Sequence, residues 1–261
     1  LLIISLLFLS VGLSQQEYNS NDLIEMDNGL YSIKFSDEPI SGKVYGYFGE
    51  ESNPKKVHMG NLRNGKKEGK WVSYYHSTGK KKLEKNYKDG KEHGLWTTWY
   101  ENGQKNIENT YKDGKEHGLW TDWYKNGKKD YEGTFKDGKR NGLDTFWYEN
   151  GQKNIENTYK DGEKEGLETH WYKNGKKDYE GTFKDGKRNG LDTFWYENGQ
   201  KEREHNYKNG KLDGLFTWWY ENGQKKEEGT YKDGKEDGLY TRWYENGQKS
   251  WEGTYRDGKF D

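Results

Sequence analysis

Six histidines, a row of glutamates and a set of Lys-Asp-Gly-Lys turns are the residues that could do chemistry in this chain. The histidines are His58, His76, His93, His117, His170 and His205, and only His93 and His117 occupy equivalent places, 24 residues apart. On strands two spacings apart they would be separated by roughly 10 Å. One zinc ion, with ligands at about 2.0–2.1 Å, cannot span that. Each Lys-Asp-Gly-Lys turn offers one carboxylate between two lysines, whereas calcium takes about six to eight oxygens. Glu108, Glu132, Glu156, Glu180, Glu204, Glu228 and Glu252 recur every 24 residues. Their simplest role is as cross-strand partners of Lys or Thr. A catalytic pair would need one unit to differ chemically from the rest, and none does. The glycines sit in isolated turns and form no phosphate-binding loop. With a net charge of −1 and Lys and Glu interleaved, no basic face exists for nucleic acid. The absence of cysteine excludes disulfides and thiolate metal sites. The chain is therefore expected to use no cofactor and no metal, and to be no enzyme.

What remains is aromatic. Trp, Tyr and Phe make up 16% of the sequence, and each such ring can bury about 150–250 Å². They are placed by a 24-residue unit, YKDGKEHGLWTTWYENGQKNIENT at 87–110, which returns from Tyr111, Phe135, Tyr159, Phe183, Tyr207 and Tyr231. A fixed period of this size denotes a repeat architecture. Asn102-Gly103 and Asp113-Gly114 are hairpin-turn dipeptides, suited to type I′ turns with both central residues at positive φ. Runs such as Leu95–Tyr100, rich in Trp, Thr and Tyr, read as strands. The expected fold is all-β: an elongated repeat protein built as an antiparallel β-hairpin meander, two strands per unit.

Period-2 alternation sends Leu95, Thr97 and Trp99 to one face and Trp96, Thr98 and Tyr100 to the other. The first three are constant in every full unit. The place of Trp96 is taken in turn by Trp120, Asp144, Glu168, Asp192, Phe216 and Tyr240, and that of Thr98 by Asp122, Phe146, His170, Phe194, Trp218 and Arg242. An unpaired buried charge is costly, so the constant set is expected to pack and the varied set to be exposed, at least in the middle units. A bulge in the Asn-Gly loop is expected to place Tyr111 with Trp99. The varied row supplies the candidate binding residues Trp96, Trp120, Phe146, His170, Phe194, Phe216, Trp218, Tyr240 and Arg242. A duplication is superposed on the period: residues 101–148 and 149–196 differ at five of 48 positions. These are Lys115/Glu163, Glu116/Lys164, His117/Glu165, Trp120/Glu168 and Asp122/His170.

Leu1 to Leu13 is apolar and about as long as a signal-peptide core. The chain is divided accordingly into a signal peptide at 1–14, truncated at its start, a divergent cap at 15–60 and tandem repeats at 61–261. The leader points to export, to the periplasm, the cell surface or the exterior. The pattern Tyr-x-Asp/Asn-Gly-Lys-x-x-Gly-Leu-x-x-x-Trp-Tyr-x-Asn-Gly, as in Tyr231 to Gly247, resembles the MORN-repeat variant. More closely, the chain resembles the bacterial YwqK-type antitoxin group of MORN-variant proteins. The resemblance implies hairpins laid side by side as a scaffold for protein or lipid, without catalytic residues, and an antitoxin role. The residues themselves favour a scaffold for a protein partner or a second copy of the chain. The alternative is a glycan or cell-envelope module using the rings as stacking platforms, or a membrane-surface contact.

Overall fold

A computed structural model describes residues 16–49 and 53–261; the leader segment 1–14 lies outside the described residues. Among those described, the chain is almost entirely strand, with one 3-10 turn at Ser20–Asp22. It divides into two compact units, the first ending at Gly94 and the second running Leu95–Asp261.

In the first unit Glu17–Asn19 lies parallel to Gly42–Phe48, with Glu17 opposite Lys43. Gly42–Phe48 then pairs antiparallel with Lys55–Arg63, which pairs with Lys66–Tyr74, which pairs with Lys81–Lys88. Among the described residues an aliphatic core forms here: Ile40, Val44 and Leu62 are buried, with Tyr18, Leu23, Tyr31 and Trp71 against them. Ile40 is anchored by its backbone, whose carbonyl accepts from Gly65 N at 2.7 Å.

The second unit is a meander of antiparallel hairpins on the 24-residue period. Lys105–Lys112, Lys115–Trp123, Lys129–Lys136 and Gly142–Trp147 are successive neighbours, and the pattern continues to Lys249–Arg256. The two turn types differ. Asp113 and Gly114 have φ of 51° and 84°, the paired positive values of a type I′ turn. At Asn102-Gly103 only the glycine is at positive φ, 94°, which departs from the type I′ reading but agrees with the expected bulge. Gly103 N donates to Tyr100 O and Tyr100 N to Gln104 O, both at 2.8 Å, while Asn102 Oδ1 accepts from Gln104 N at 3.0 Å. This is the longer glycine-bulge hairpin loop, closed by the asparagine side chain.

That loop is also the joint between repeats. The Tyr100 hydroxyl donates to Trp123 O of the following unit at 2.7 Å, and the bond recurs from Tyr124 to Trp147, Tyr148 to Trp171, Tyr172 to Trp195, Tyr196 to Trp219 and Tyr220 to Trp243. Asn102 Nδ2 adds a bond to Lys125 O at 3.1 Å. Each staple satisfies a backbone carbonyl at the strand end, so repeats are tied together without a thick core.

Candidate binding face

The two faces of the repeats are the reverse of what alternation suggests. The leucines of the constant row stand 46–56% exposed, from Leu95 to Leu239. Thr97 and its equivalents are buried, but the face is largely electrostatic. Lys105 pairs with Glu108 at 2.5 Å and lies 5.5 Å from the Trp123 ring centre, and the same set recurs in later units. Thr97 Oγ1 donates to Glu108 at 3.4 Å. The glutamate row is thus a cross-strand partner of Thr, as expected, while its lysine stands three residues earlier on the same strand.

The varied row is the better buried. Tyr111 lies on this face, its ring tilted against that of Trp96 at 5.3 Å, and not on the face of Trp99. The loop does carry a register shift, equivalent to that between Asp122 and Trp123. Its effect is to bring the residues of the returning strand onto the varied face, opposite Trp120 and Asp122. Trp96 and Trp120 meet edge to face at 6.3 Å, and Trp120 contacts Phe135 at 5.5 Å. Phe216 contacts Tyr231 and Tyr240, at 5.2 and 5.3 Å. Phe216 and Tyr240 are 4% and 8% exposed, which makes them core residues and unavailable to a partner.

The acidic members, expected outside, are inside. Asp144 and Asp192 are 0% exposed and Glu168 is 6% exposed. Burial is tolerated because each is paired and hydrogen-bonded. The Tyr131 hydroxyl donates to Asp144 Oδ2 at 2.8 Å, and Arg140 Nε lies 3.2 Å from the same oxygen. Tyr179 and Arg188 hold Asp192 in the same way at 2.9 and 3.2 Å. Burial still raises the Asp144 carboxyl above the ordinary aspartate value, against the Tyr131 bond and the Arg140 charge. Burial, then the Asp144 bond, raises the Tyr131 phenol. Glu168 is bonded by Lys164 and, at 2.6 Å, by His170. Burial raises its carboxyl, but these two partners together outweigh it and hold it below the usual glutamate value.

Where the Trp96 column turns acidic, the aromatic ladder steps sideways. Phe146 packs on Tyr131 at 4.7 Å, and Tyr179 lies between His170 at 5.0 Å and Phe194 at 4.7 Å. Arg203 caps Phe194 at 3.9 Å. Trp218 Nε1 donates to His205 Nε2 at 2.8 Å. Burial, with Arg203 and Arg188 adding, pushes the His205 imidazole down to about 4. Arg242 is exposed and ion-paired with Glu227 at 2.7 Å.

Of the nine candidates, Trp96, Trp120, Phe146, His170, Phe194 and Trp218 are half-buried members of one ladder. Tyr131, Tyr179, Phe135, Arg140, Arg188 and His205 belong to it too and escaped sequence reasoning. Their signal was the register of the Asn-Gly loop, which decides which residues of the returning strand face Trp120. An open cavity of 420 Å³ sits on this face, walled by the rings of Trp120, Tyr131, Phe135 and Phe146 and by Glu116, Asp122, Asp130 and Arg140. A larger one, 630 Å³, in the first unit between Phe48, His58, Tyr74 and His76, contains none of the candidates. Among the described residues no group of three or more His, Cys, Asp or Glu side chains could hold a metal ion, and no helix is long and apolar enough to cross a membrane.

A family model described as the MORN repeat variant matches seven successive segments, residues 92–113, 116–137, 140–161, 164–185, 188–209, 212–233 and 236–257. No curated protein matches the chain.

Proposed function

Because the chain belongs to the MORN repeat variant family, we propose that it is a non-enzymatic, exported scaffold that binds a protein partner through the varied face of its repeats. The observation supporting this is a constant backbone frame whose side chains change from unit to unit. Over a buried row that the partner does not reach, equivalent half-buried or exposed positions present Asp122, Phe146, His170, Phe194, Trp218 and Arg242 in turn. With two strands per unit, a partner crossing the strands would meet a new combination about every 10 Å. Half-buried aromatic rings with charges between them have the composition of protein interfaces. Export rests on the apolar leader Leu1–Leu13.

The test is differential capture from secretions of the native host with the wild-type chain and a Phe194→Ala/Trp218→Ala variant. A protein held by the first and released by the second is the expected result, and concentration-dependent dimerisation abolished by the same variant would identify the partner as a second copy. Retention on insoluble glycan, lost in Trp218→Ala, would replace the protein reading with a glycan one.

A further inference from the structure

The two near-identical 48-residue blocks form an internal control experiment. Eight residues wall the 420 Å³ cavity, and five of them, Asp130, Tyr131, Phe135, Arg140 and Phe146, are identical in the second block as Asp178, Tyr179, Phe183, Arg188 and Phe194. The other three, Glu116, Trp120 and Asp122, become Lys164, Glu168 and His170. Three of the five differences between the blocks therefore fall in this wall, and the other two flank Glu116. Divergence confined so tightly marks this spot as the place where the copies do different things.

In the second block the chain fills the corresponding place with its own cation. Lys164 Nζ lies 4.9 Å from the centre of the Phe183 ring and is ion-paired with Glu168, which also holds His170. In the first block the equivalent of that lysine is Glu116, so the cation is gone and a carboxylate has been added. The Phe135 ring remains, Trp120 contacts it, and Trp120 Nε1 donates to Asp122 Oδ1 at 2.6 Å, which fixes that carboxylate at the wall. The lone cation, Arg140, is engaged by buried Asp144. Glu116, Asp122 and Asp130 thus line an aromatic cavity with an excess of negative charge. Burial, with Asp130 adding repulsion, raises the Asp122 carboxyl, and a cation would relieve that strain.

We propose that the cavity at Trp120 is a binding site for a primary alkylammonium group, the lysine side chain of another molecule, held by Glu116, Asp122 and Asp130 against the rings of Trp120 and Phe135. A primary ammonium fits better than a quaternary one because its three N–H donors can each meet a carboxylate, while the rings attract the charge. The second block shows a lysine ammonium held between a ring equivalent to Phe135 and a carboxylate, there Glu168 at the place of Trp120. The site does not depend on the scaffold reading above, since a free amine can enter whether or not a protein partner exists.

The experiment is ligand-observed saturation-transfer NMR on the full chain with n-butylammonium, with 1-pentanol as its neutral analogue and with tetramethylammonium. Butylammonium should bind saturably and weaken as salt is raised. Asp122→Asn should weaken it by roughly tenfold, about 1.4 kcal/mol. The variant Glu116→Lys/Trp120→Glu/Asp122→His, which imports the second block's own arrangement, should abolish it while leaving the circular dichroism unchanged. Glu116→Gln supplies the same comparison if that triple variant fails to fold. Equal binding of pentanol, tighter binding of tetramethylammonium, undiminished binding by the variants, or no saturable binding up to about 100 mM would each overturn the proposal.

Discussion

Gly133 is the position where the packing of the varied face is most sharply testable. It sits opposite Trp120 in the ladder, on a strand where its φ is unexceptional. A Cβ there would lie 2.0 Å from Tyr131 Oη and 2.5 Å from Asp144 Oδ1. Neither atom can yield without breaking the Tyr131–Asp144 bond. A hydrogen bond to a charged group contributes about 1.5–3 kcal/mol. Replacing glycine by alanine in a strand returns about 0.5–1 kcal/mol of backbone entropy. Gly133→Ala is therefore expected to lose about 1–2 kcal/mol locally, against the gain that a surface Gly→Ala change in a strand would give. Because a long repeat array need not unfold in one step, the assay is native-state hydrogen exchange over residues 125–148. Exchange should quicken roughly 5- to 30-fold. Residues 173–196 have the identical wild-type sequence and serve as an internal reference, told apart by the added methylene mass. In a Tyr131→Phe background the obstructing hydroxyl is gone, so the same alanine should cost less, with a coupling of about 1 kcal/mol. Slower exchange in Gly133→Ala, or no coupling to Tyr131→Phe, would refute the buried Tyr–Asp–Arg arrangement.

The inter-repeat staple predicts that Tyr148→Phe, which removes the bond to Trp171 O, lowers local stability by about 1 kcal/mol, read as faster exchange in the strands around 147 and 171. At the type I′ turn, Asp113→Gly should be tolerated and Asp113→Val should destabilise by about 1 kcal/mol or more, since a β-branched residue at φ 51° is strained; thermal melts decide. His205 is held below its ordinary value, at about 4, so the unfolded chain takes up its proton first as pH falls. Its contribution is complete above about pH 6.5 and is lost between about 6.5 and 4. For a half-buried ring this amounts to about 1–2 kcal/mol. His205→Phe should flatten that part of the stability profile, measured by urea titration at pH 7 and pH 5.

The architecture was legible because the period, the turn dipeptides and the strand composition all pointed to one answer. Asp113-Gly114 formed the turn its sequence suggested. Asn102-Gly103 did not, because the asparagine used its side chain to close a longer loop. The bulge expected in that loop is present, but its register sets Tyr111 on the varied face beside Trp96 and not with Trp99. The faces were misassigned for a second physical reason. Asp144, Glu168 and Asp192 read as solvent positions on the rule that buried charge is costly, but the rule applies to unpaired charge. Tyr131 and Tyr179 lie 13 residues before their aspartates and meet them only once the hairpin register is known, whereas Lys164 and His170 stand on the same strand and face as Glu168 and were open to the alternation rule. Constancy misled as well: the leucine row is invariant yet exposed, so part of its sameness comes from copying.

The most direct measurement exploits the absence of cysteine from the chain. Leu215 and Phe216 are adjacent and point to opposite faces, 48% and 4% exposed. Single Leu215→Cys and Phe216→Cys variants should react with a thiol reagent at rates differing by at least about tenfold, because a buried thiol reacts only through local opening. Fast labelling of Leu215→Cys and protection of Phe216→Cys is the expected result. Equal rates, or the opposite order, would contradict a fold in which the varied row carries the packed ladder.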